Sequence, residues 1–208
     1  MRSLKAASLA GLVAVSSACA TTTFFNSTWV NPYTKPVELS GQKVVALMIT
    51  GDETTRRSAE DTLAREITSR GGQGIAAWSI ISTADVQNEE KARAAMTSAG
   101  AVAVVTMEVV GQRQDFDPVS FRVSMSTGRR SFWGNYHWAW RTSWGSMPQS
   151  RTNVWVETLV YSLAPDDLLW AGRTRTVNPS SVRGLFSEVA SAAAQEMQRM
   201  GLLKAPTK

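Results

Sequence analysis

Apolar residues form continuous runs in the first half of the chain. Lys43–Thr50 (KVVALMIT) lies between Gly41 and Gly51, and Gly74–Ile81 and the start of Ala101–Val110 are similarly apolar. Uninterrupted runs of this length are typical of strands that are buried on both faces of a sheet. We therefore predict three buried strands here and expect Ala101–Val110 to be central.

Helical periodicity fills the two gaps between these strands. Asp52 and Thr54 are candidate caps for the first helix, and Gly71-Gly72 is its expected end. Its apolar stripe recurs every fourth residue, at Ala59, Leu63 and Ile67. The second helix is expected after Ser82–Asp85, which has capping-box spacing, and its stripe consists of Ala92, Ala95, Met96 and Ala99. The order β-α-β-α-β is typical of helices packed on a mostly parallel sheet.

The second half of the chain has the pattern of an antiparallel sheet. Apolar and polar residues alternate over Val119–Ser126, which indicates a half-buried strand. Asn153–Leu163 and Leu168–Val177 flank the turn sequence Ala164–Asp167 and are expected to form a hairpin. A final helix is predicted to begin at Asn178-Pro179, with Asn as the cap and Pro as the first helical residue.

The length of the hairpin loop sets the expected register of the two strands. A four-residue loop would pair Leu163 with Leu168, and the same register pairs Tyr161 with Trp170 and Thr158 with Arg173. The predicted core face then consists of Trp155, Leu159, Tyr161, Leu168 and Trp170.

Length and composition favour one globular domain. The chain has 208 residues, of which 43% are hydrophobic and 19% charged, and this composition argues against disorder. We predict an α/β fold: β-α-β-α-β followed by antiparallel strands and a C-terminal helix, with helices packed on a mixed sheet. The domain is expected over residues 41–204, with an aromatic-rich insertion at 129–150.

The amino terminus has the three parts of a secretory signal peptide. Arg2 and Lys5 form a basic region, Ala6–Val15 is an apolar run, and small residues follow up to Ala20. The apolar run is too short for a transmembrane helix, which needs about 20 residues. We expect residues 1–18 to be a signal peptide that is removed during export.

Two cleavage sites compete in this region. Ser16–Cys19 resembles the lipobox of bacterial lipoproteins, in which the cysteine is acylated and becomes the first residue of the mature protein. Ala18–Ala20 fits ordinary signal peptidase, which would release a soluble periplasmic protein after cleavage at Ala20. Cys19 is the only cysteine in the chain and lies where a lipobox places it. We therefore expect palmitate on Cys19, and a tether over residues 19–40 that includes a candidate strand at Phe24–Val30.

The order of these features resembles a family of envelope lipoproteins. A lipoprotein signal precedes the KVVALMIT strand, a helix with an acidic start follows, and the third strand begins at Ala99-Gly100-Ala101. A late hairpin, VWVETLVYSL…DLLWAGRTRTVNP, precedes the closing helix. This pattern, over about residues 41–203, is similar to lipoproteins whose domain resembles the amino-terminal domain of the Tol-system periplasmic protein. The curli-secretion lipoprotein and the lipoprotein activators of penicillin-binding proteins share that general fold.

The resemblance also implies a location and a kind of activity. Ala20, rather than an acidic residue, follows Cys19, and by resemblance to enterobacterial lipoproteins this implies sorting to the outer membrane. The related proteins act by protein contact rather than by catalysis, so the resemblance implies the same here. It assigns no catalytic or ligand residue.

Few residues of the chain offer catalytic chemistry. His137 is the only histidine, and no Gly-x-Ser-x-Gly motif accompanies it. The acidic pairs Asp115/Asp117 and Asp166/Asp167 have the setting of turns rather than of a metal site. Gly71–Gly74 lies between a helix and a strand, which is the reverse of the order in a phosphate-binding loop. We predict no enzyme activity, no metal and no cofactor.

Two carboxylates lie inside predicted strands. Glu108 and Glu157 are each expected where the strand reaches a solvated face, paired with an arginine from Arg113, Arg173 and Arg175.

Arg129–Met147 (RRSFWGNYHWAWRTSWGSM) is the strongest candidate for binding. It holds four of the eight tryptophans, and aromatic residues and arginine are enriched at binding hot spots. Its aromatic residues alternate with His137, Ala139 and Arg141, so an extended segment would present an aromatic face. The candidate contact residues are Trp133, Tyr136, Trp138, Trp140, Arg141 and Trp144. The alternative is that these tryptophans pack over the domain's own sheet.

These features together predict a non-catalytic lipoprotein of the bacterial envelope. It would be anchored by lipid in the outer membrane, face the periplasm and bind another envelope protein through residues 130–147. Binding of a small molecule or of cell-wall glycan is the alternative. Nucleic acid is not expected as a ligand of an exported protein.

Overall fold

The computed structural model describes residues 22–34, 37–111, 130–142 and 153–204. These residues form an α/β fold in which four helices pack on a six-stranded mixed sheet. The strands are β1 (Thr22–Val30), β2 (Lys43–Ile49), β3 (Gln73–Ala76), β4 (Ala103–Gly111), β5 (Asn153–Leu163) and β6 (Asp166–Val177). The helices are α1 (Glu53–Ser69), α2 (Glu89–Ser98), α3 (Phe132–Thr142) and α4 (Val182–Arg199).

The sheet combines a parallel half and an antiparallel half. Its strand order is β1-β6-β5-β4-β2-β3. Strand β2 is parallel to both β3 and β4, whereas β4, β5, β6 and β1 are successively antiparallel. The predicted fold class, with β-α-β-α-β followed by antiparallel strands and a C-terminal helix, is confirmed.

Each face of the sheet is covered by a pair of helices. On one face, α1 and α4 pack through residues such as Leu63 and Val189 against Val44 and Val105. On the other face, α2 and α3 pack on the neighbouring, oppositely directed side chains of the same strands. Strand β5 is therefore buried along nearly its whole length, as expected for a strand covered on both sides.

Three predicted boundaries are wrong, and each error concerns a cap or a turn. The second strand ends at Ala76, where a 3₁₀ turn begins. Helix α2 starts after Asn88, whose side chain accepts a hydrogen bond from the Lys91 N–H, and Ser82–Asp85 forms a turn before it. Helix α4 is capped by Ser181 rather than by Asn178, which has a positive φ of 49°.

The hairpin is present, but its predicted register is wrong. Its strands are joined through Ala164-Pro165 alone, so that Leu163 pairs with Asp166. A register shift between Val160 and Tyr161 then places Tyr161 opposite Leu168, and Val160 opposite Trp170. The shift puts Trp170 on the α1/α4 face, whereas Leu159, Tyr161 and Leu168 lie on the α2/α3 face.

The candidate strand Phe24–Val30 is present as part of β1. It pairs antiparallel with β6, with Thr22 opposite Val177. The sheet therefore begins at Thr22, earlier than the expected domain start at residue 41. The signal segment with Cys19 and the predicted strand Val119–Ser126 lie outside the described residues. Among the described helices, none is both long enough and apolar enough to cross a bilayer.

Candidate functional site

The aromatic segment forms the helix α3, not an extended strand. Its buried apolar residues are Phe132, Trp133, Tyr136, Ala139 and Trp140, which have helical spacing. Their rings contact one another edge to face, with 4.5 Å between the ring centroids of Phe132 and Trp133 and 6.3 Å between those of Tyr136 and Trp140. The extended conformation that would present an aromatic face is therefore not adopted by residues 132–142.

The structure separates the six candidate contact residues. Trp133, Tyr136 and Trp140 are buried on the sheet, as the alternative interpretation of the segment predicted. Trp138 is 50% exposed, and Arg141 is exposed on the same outer side of the helix. Trp144 lies outside the described residues. Of the candidate contact residues that the structure describes, Trp138 and Arg141 are therefore the two accessible to a partner.

Helix α3 is held in place by contacts with distant parts of the chain. The Asp166 carboxylate, at the start of β6, accepts hydrogen bonds from the Phe132 N–H at 2.6 Å and from the Ser131 hydroxyl at 2.5 Å. The Ser131 hydroxyl also accepts a hydrogen bond from the Gly134 N–H at 2.9 Å. Asp166 and Ser131 together cap the helix and satisfy N–H groups that have no partner within it. Along its length, the Arg93 guanidinium lies 4.2 Å from the Trp133 ring centroid. The Tyr136 hydroxyl donates to the Val86 carbonyl.

A buried carboxylate on α1 was missed by the sequence analysis. The Glu60 side chain is fully buried, and its two oxygens accept hydrogen bonds from the Met48 N–H at 3.2 Å and from the Trp78 N–H at 2.6 Å. The Arg56 guanidinium lies 3.5 Å away and is equally buried. Burial raises the pKa of Glu60 to about 7, and Arg56 and the two N–H groups only partly offset this effect.

This buried pair fastens α1 to the carboxyl end of β2. Arg56 also donates to the Thr83 hydroxyl at 3.1 Å, and Thr83 in turn donates to Glu53 at 2.8 Å. The sequence did contain a signal, since Arg56 and Glu60 lie on the same helical stripe as Leu63 and continue it toward the amino terminus. Both carboxylate oxygens of Glu60 accept hydrogen bonds from the protein itself. This geometry indicates a structural role.

The two carboxylates inside strands differ from expectation. Glu157 pairs with Arg173 at 2.9 Å, as predicted, but it is buried, so the predicted solvated face is wrong. Glu108 is half-buried. The pairing of Glu157 explains how a charge is kept in the middle of a covered strand.

A cleft of about 530 Å³ opens at the end of the sheet where the β5–β6 turn lies. Its apolar lining includes Tyr33, Val37, Leu39, Val102, Pro165 and Leu169. Two of these side chains are unusually accessible for apolar residues, because Tyr33 is 84% exposed and Val102 is 39% exposed. The volume lies within the usual range for ligand sites, about 300–1,000 Å³. We call this opening the distal cleft.

The rim of the distal cleft is polar and partly fixed. Glu38 forms an ion pair with Lys204 at 2.5 Å, and this contact lowers the pKa of Glu38. The backbone of Tyr33 is held, since its N–H donates to the Asn31 side chain at 2.9 Å. The Arg130 guanidinium lies 6.0 Å from the Tyr33 ring centroid.

Tyr33 was also missed, although the sequence pattern contained a hint. The preceding Asn31-Pro32 dipeptide favours a turn, and an aromatic residue at a turn tip is poorly placed for burial. Within the described ranges, no group of three or more His, Cys, Asp or Glu side chains is arranged to hold a metal ion.

The fold can be compared with proteins of known sequence and structure. No protein-family model and no curated protein matches the chain. Two solved structures of the PelC dodecamer from Paraburkholderia phytofirmans, one with a single substitution, are similar to it with a TM-score of 0.44. They are 16% and 15% identical in sequence, and each match covers 90% of this chain and 100% of the other. Similarity at this level has no bearing on function.

Proposed function

We propose that the protein is a non-catalytic lipoprotein of the bacterial envelope that binds a segment of another envelope protein in the distal cleft. In this proposal, lipid on Cys19 anchors the domain to the outer membrane, and the domain faces the periplasm. The observation that carries it is the position of the cleft, which lies at the opposite end of the sheet from the start of β1.

The direction of the strands defines these two ends. Strand β1 begins at Thr22, three residues after Cys19, and pairs there with the end of β6. The distal cleft is formed where β6 begins and where β2 and β4 begin. Strand β5 connects the two ends with 11 residues, which span about 35 Å at about 3.3 Å per residue. A lipid-anchored domain would therefore present the cleft away from the membrane.

The chemistry of the cleft favours an apolar side chain of a protein partner. Tyr33 and Val102 offer exposed apolar surface beside half-buried Val37. When a partner covers such side chains, replacing one of them by alanine lowers the binding affinity. Asp167 adds negative charge at the rim, which favours a basic residue next to the inserted side chain. A second contact is available on α3, where Trp138 and Arg141 are exposed.

Binding of cell-wall glycan is the second candidate, and Tyr33 is the observation that favours it. A tyrosine ring that is 84% exposed can stack on a sugar ring. Titration with soluble wall fragments, followed by the tryptophan fluorescence of the protein, tests this alternative. A Tyr33→Ala variant should lose any saturable response, and a response that survives this change would exclude the cleft as the glycan site.

Site-specific photocrosslinking in cells tests the main proposal. A photoreactive residue at Val102 should capture a defined envelope protein, and the additional change Tyr33→Ala should abolish the capture. The same probe at Trp138, which is similarly exposed but lies outside the cleft, tests the second contact on α3. Capture at Trp138 alone would transfer the interface to α3, and capture at neither position would contradict the proposal. Mass spectrometry of the amino terminus tests lipid on Cys19 separately.

A further inference from the structure

We infer that the end of the sheet around Phe24 lies directly on the membrane, with the Phe24 ring among the lipid headgroups and Arg175 on lipid phosphates. This inference rests on the proposed lipid at Cys19. It goes beyond anchoring, because a lipid alone would leave the orientation of the domain free.

The first argument is the length of chain between the anchor and the sheet. Only Ala20 and Thr21 separate Cys19 from Thr22, the first residue of β1. Three residues span at most about 10 Å when fully extended. The start of β1 is therefore confined to the membrane surface, and a long tether that would let the domain swing away is absent between Cys19 and β1.

The second argument is which residues this short connection brings to the membrane. Phe24, two residues into β1, is opposite Arg175 on β6, and Trp155 on β5 is opposite Arg175 from the other side. The Phe24 side chain is 40% exposed although it is aromatic. Aromatic residues are enriched at membrane interfaces, and arginine extends its charged end toward headgroups.

The third argument is the arrangement of Arg175. Its guanidinium lies 5.8 Å from the Phe24 ring centroid and 5.7 Å from the Trp155 ring centroid, so that two rings hold it in place. Its Nε donates to the neutral Asn153 side chain at 2.7 Å. The neighbouring Arg173 has its charge balanced by Glu157. Arg175 therefore keeps a positive charge beside an exposed ring, which suits an anionic phospholipid surface.

The two ends of the sheet are chemically distinct under this inference. About 20 Å of β6 separates Arg175 from Leu169 in the distal cleft. One end would contact lipid and the other would be held in the periplasm. A rigid sheet thus converts a single lipid anchor into a defined height and direction for the cleft.

Depth-dependent fluorescence quenching on the full lipidated protein tests this orientation. Cys19 is the only native cysteine and acylation blocks its thiol, so a cysteine introduced elsewhere can be labelled alone. Labels at Asn26→Cys, near Phe24, and at Tyr33→Cys, at the distal cleft, form the matched pair. In vesicles of phosphatidylethanolamine and phosphatidylglycerol, a lipid-bound nitroxide should quench the label at residue 26 severalfold more than the label at residue 33.

Two variants then examine the chemistry of the contact. Phe24→Ala should reduce the quenching at residue 26 severalfold with unchanged circular dichroism. Arg175→Gln should remove the dependence of the quenching at residue 26 on phosphatidylglycerol. Arg65→Gln, which changes an exposed arginine on α1, should not. Equal quenching of the two labels in protein shown by mass to be acylated would overturn the membrane contact and leave the anchor intact. A chain without lipid on Cys19 would instead overturn the anchoring on which both proposals depend.

Discussion

The helices on one face of the sheet bury mainly small and aliphatic side chains, whereas the helix α3 on the other face buries four aromatic rings. Helix α4 buries Ala190, Ala193 and Ala194, and Phe186 is the one aromatic residue that it buries. Helix α3, which is much shorter, buries Phe132, Trp133, Tyr136 and Trp140. Because a buried ring contributes far more apolar area than an alanine, the stability of the second face is concentrated in a few residues. The first face instead depends on close approach along a long helix.

The largest expected effect is on the aromatic face. Trp140→Ala should lower the free energy of unfolding by about 3–5 kcal/mol, because it removes a buried ring and leaves a cavity. Trp138→Ala, two residues away on the exposed side, should cost well under half as much. Urea denaturation of the two variants measures the difference. Equal losses would mean that α3 is not packed as described.

On the α1/α4 side, the buried Glu60 is a single residue whose change should have a large effect on stability. Its pKa is about 7 in the folded protein and 4.5 ordinarily, so the folded protein binds the proton more tightly than the unfolded chain. The resulting stabilisation is complete below pH 4.5 and is lost as the pH rises through 7. The loss is on the order of 3 kcal/mol, from the usual 1.36 kcal/mol per pKa unit.

Denaturation of wild type and Glu60→Gln at a series of pH values measures this slope. The variant should lose the part of the slope between pH 4.5 and 7, and Glu90→Gln, on the exposed surface of α2, should keep it. A variant with the wild-type slope would show that another group titrates.

The close contact between α1 and β3 can be tested at Gly74. A methyl group at position 74 would lie 2.1 Å from the Ala64 carbonyl oxygen, so α1 and β3 would have to move apart. Gly74→Ala should therefore cost about 1–3 kcal/mol, as overpacked sites do. Gly51→Ala is the matched control, because no heavy atom lies within 4 Å of the added carbon. Thermal unfolding compares the two, and similar melting temperatures would refute the close contact.

The smallest expected effect concerns the attachment of α3. Asp166→Ala removes the carboxylate that caps this helix and should cost about 1 kcal/mol, as the loss of a helix cap does. Hydrogen exchange should then increase at the first turn of α3 and not in α4. The neighbouring change Asp167→Ala is the control. An equal effect from both variants would show that the Asp166 carboxylate does not cap α3.

The same contrast explains which elements were predictable. Strands β2 and β4 and the helix α1 are continuous apolar runs or regular stripes, and they were predicted from periodicity alone. In α3, Tyr136, Trp138 and Trp140 also alternate, which suggested a strand, whereas the set Phe132, Trp133, Tyr136 and Trp140 has helical spacing. A segment with aromatic residues on several sides fits both the two-residue period of a strand and the 3.6-residue period of a helix. Only its packing in the fold decides which of the two forms.

The binding surface was less predictable than the fold for a related reason. Sequence composition indicates where aromatic residues are concentrated, but burial depends on which partners the fold brings to them. Trp133 and Trp140 are buried against the sheet, whereas Tyr33, which lies in a stretch without a marked aromatic pattern, is exposed. The hairpin register was also outside the reach of the pattern, because one shift between Val160 and Tyr161 reverses the face of every residue beyond it.

The pairing of β1 with β6 has a consequence for the order in which the molecule is completed. Synthesis runs from the amino terminus, so β1 is made first, and its partner is the last strand to emerge. At about 5–20 residues per second, the interval is on the order of ten seconds. During that time the Phe24-Phe25 segment has no strand to pair with and is a site for association with other chains. Strand β1 can therefore join the sheet only after the final hairpin has been made.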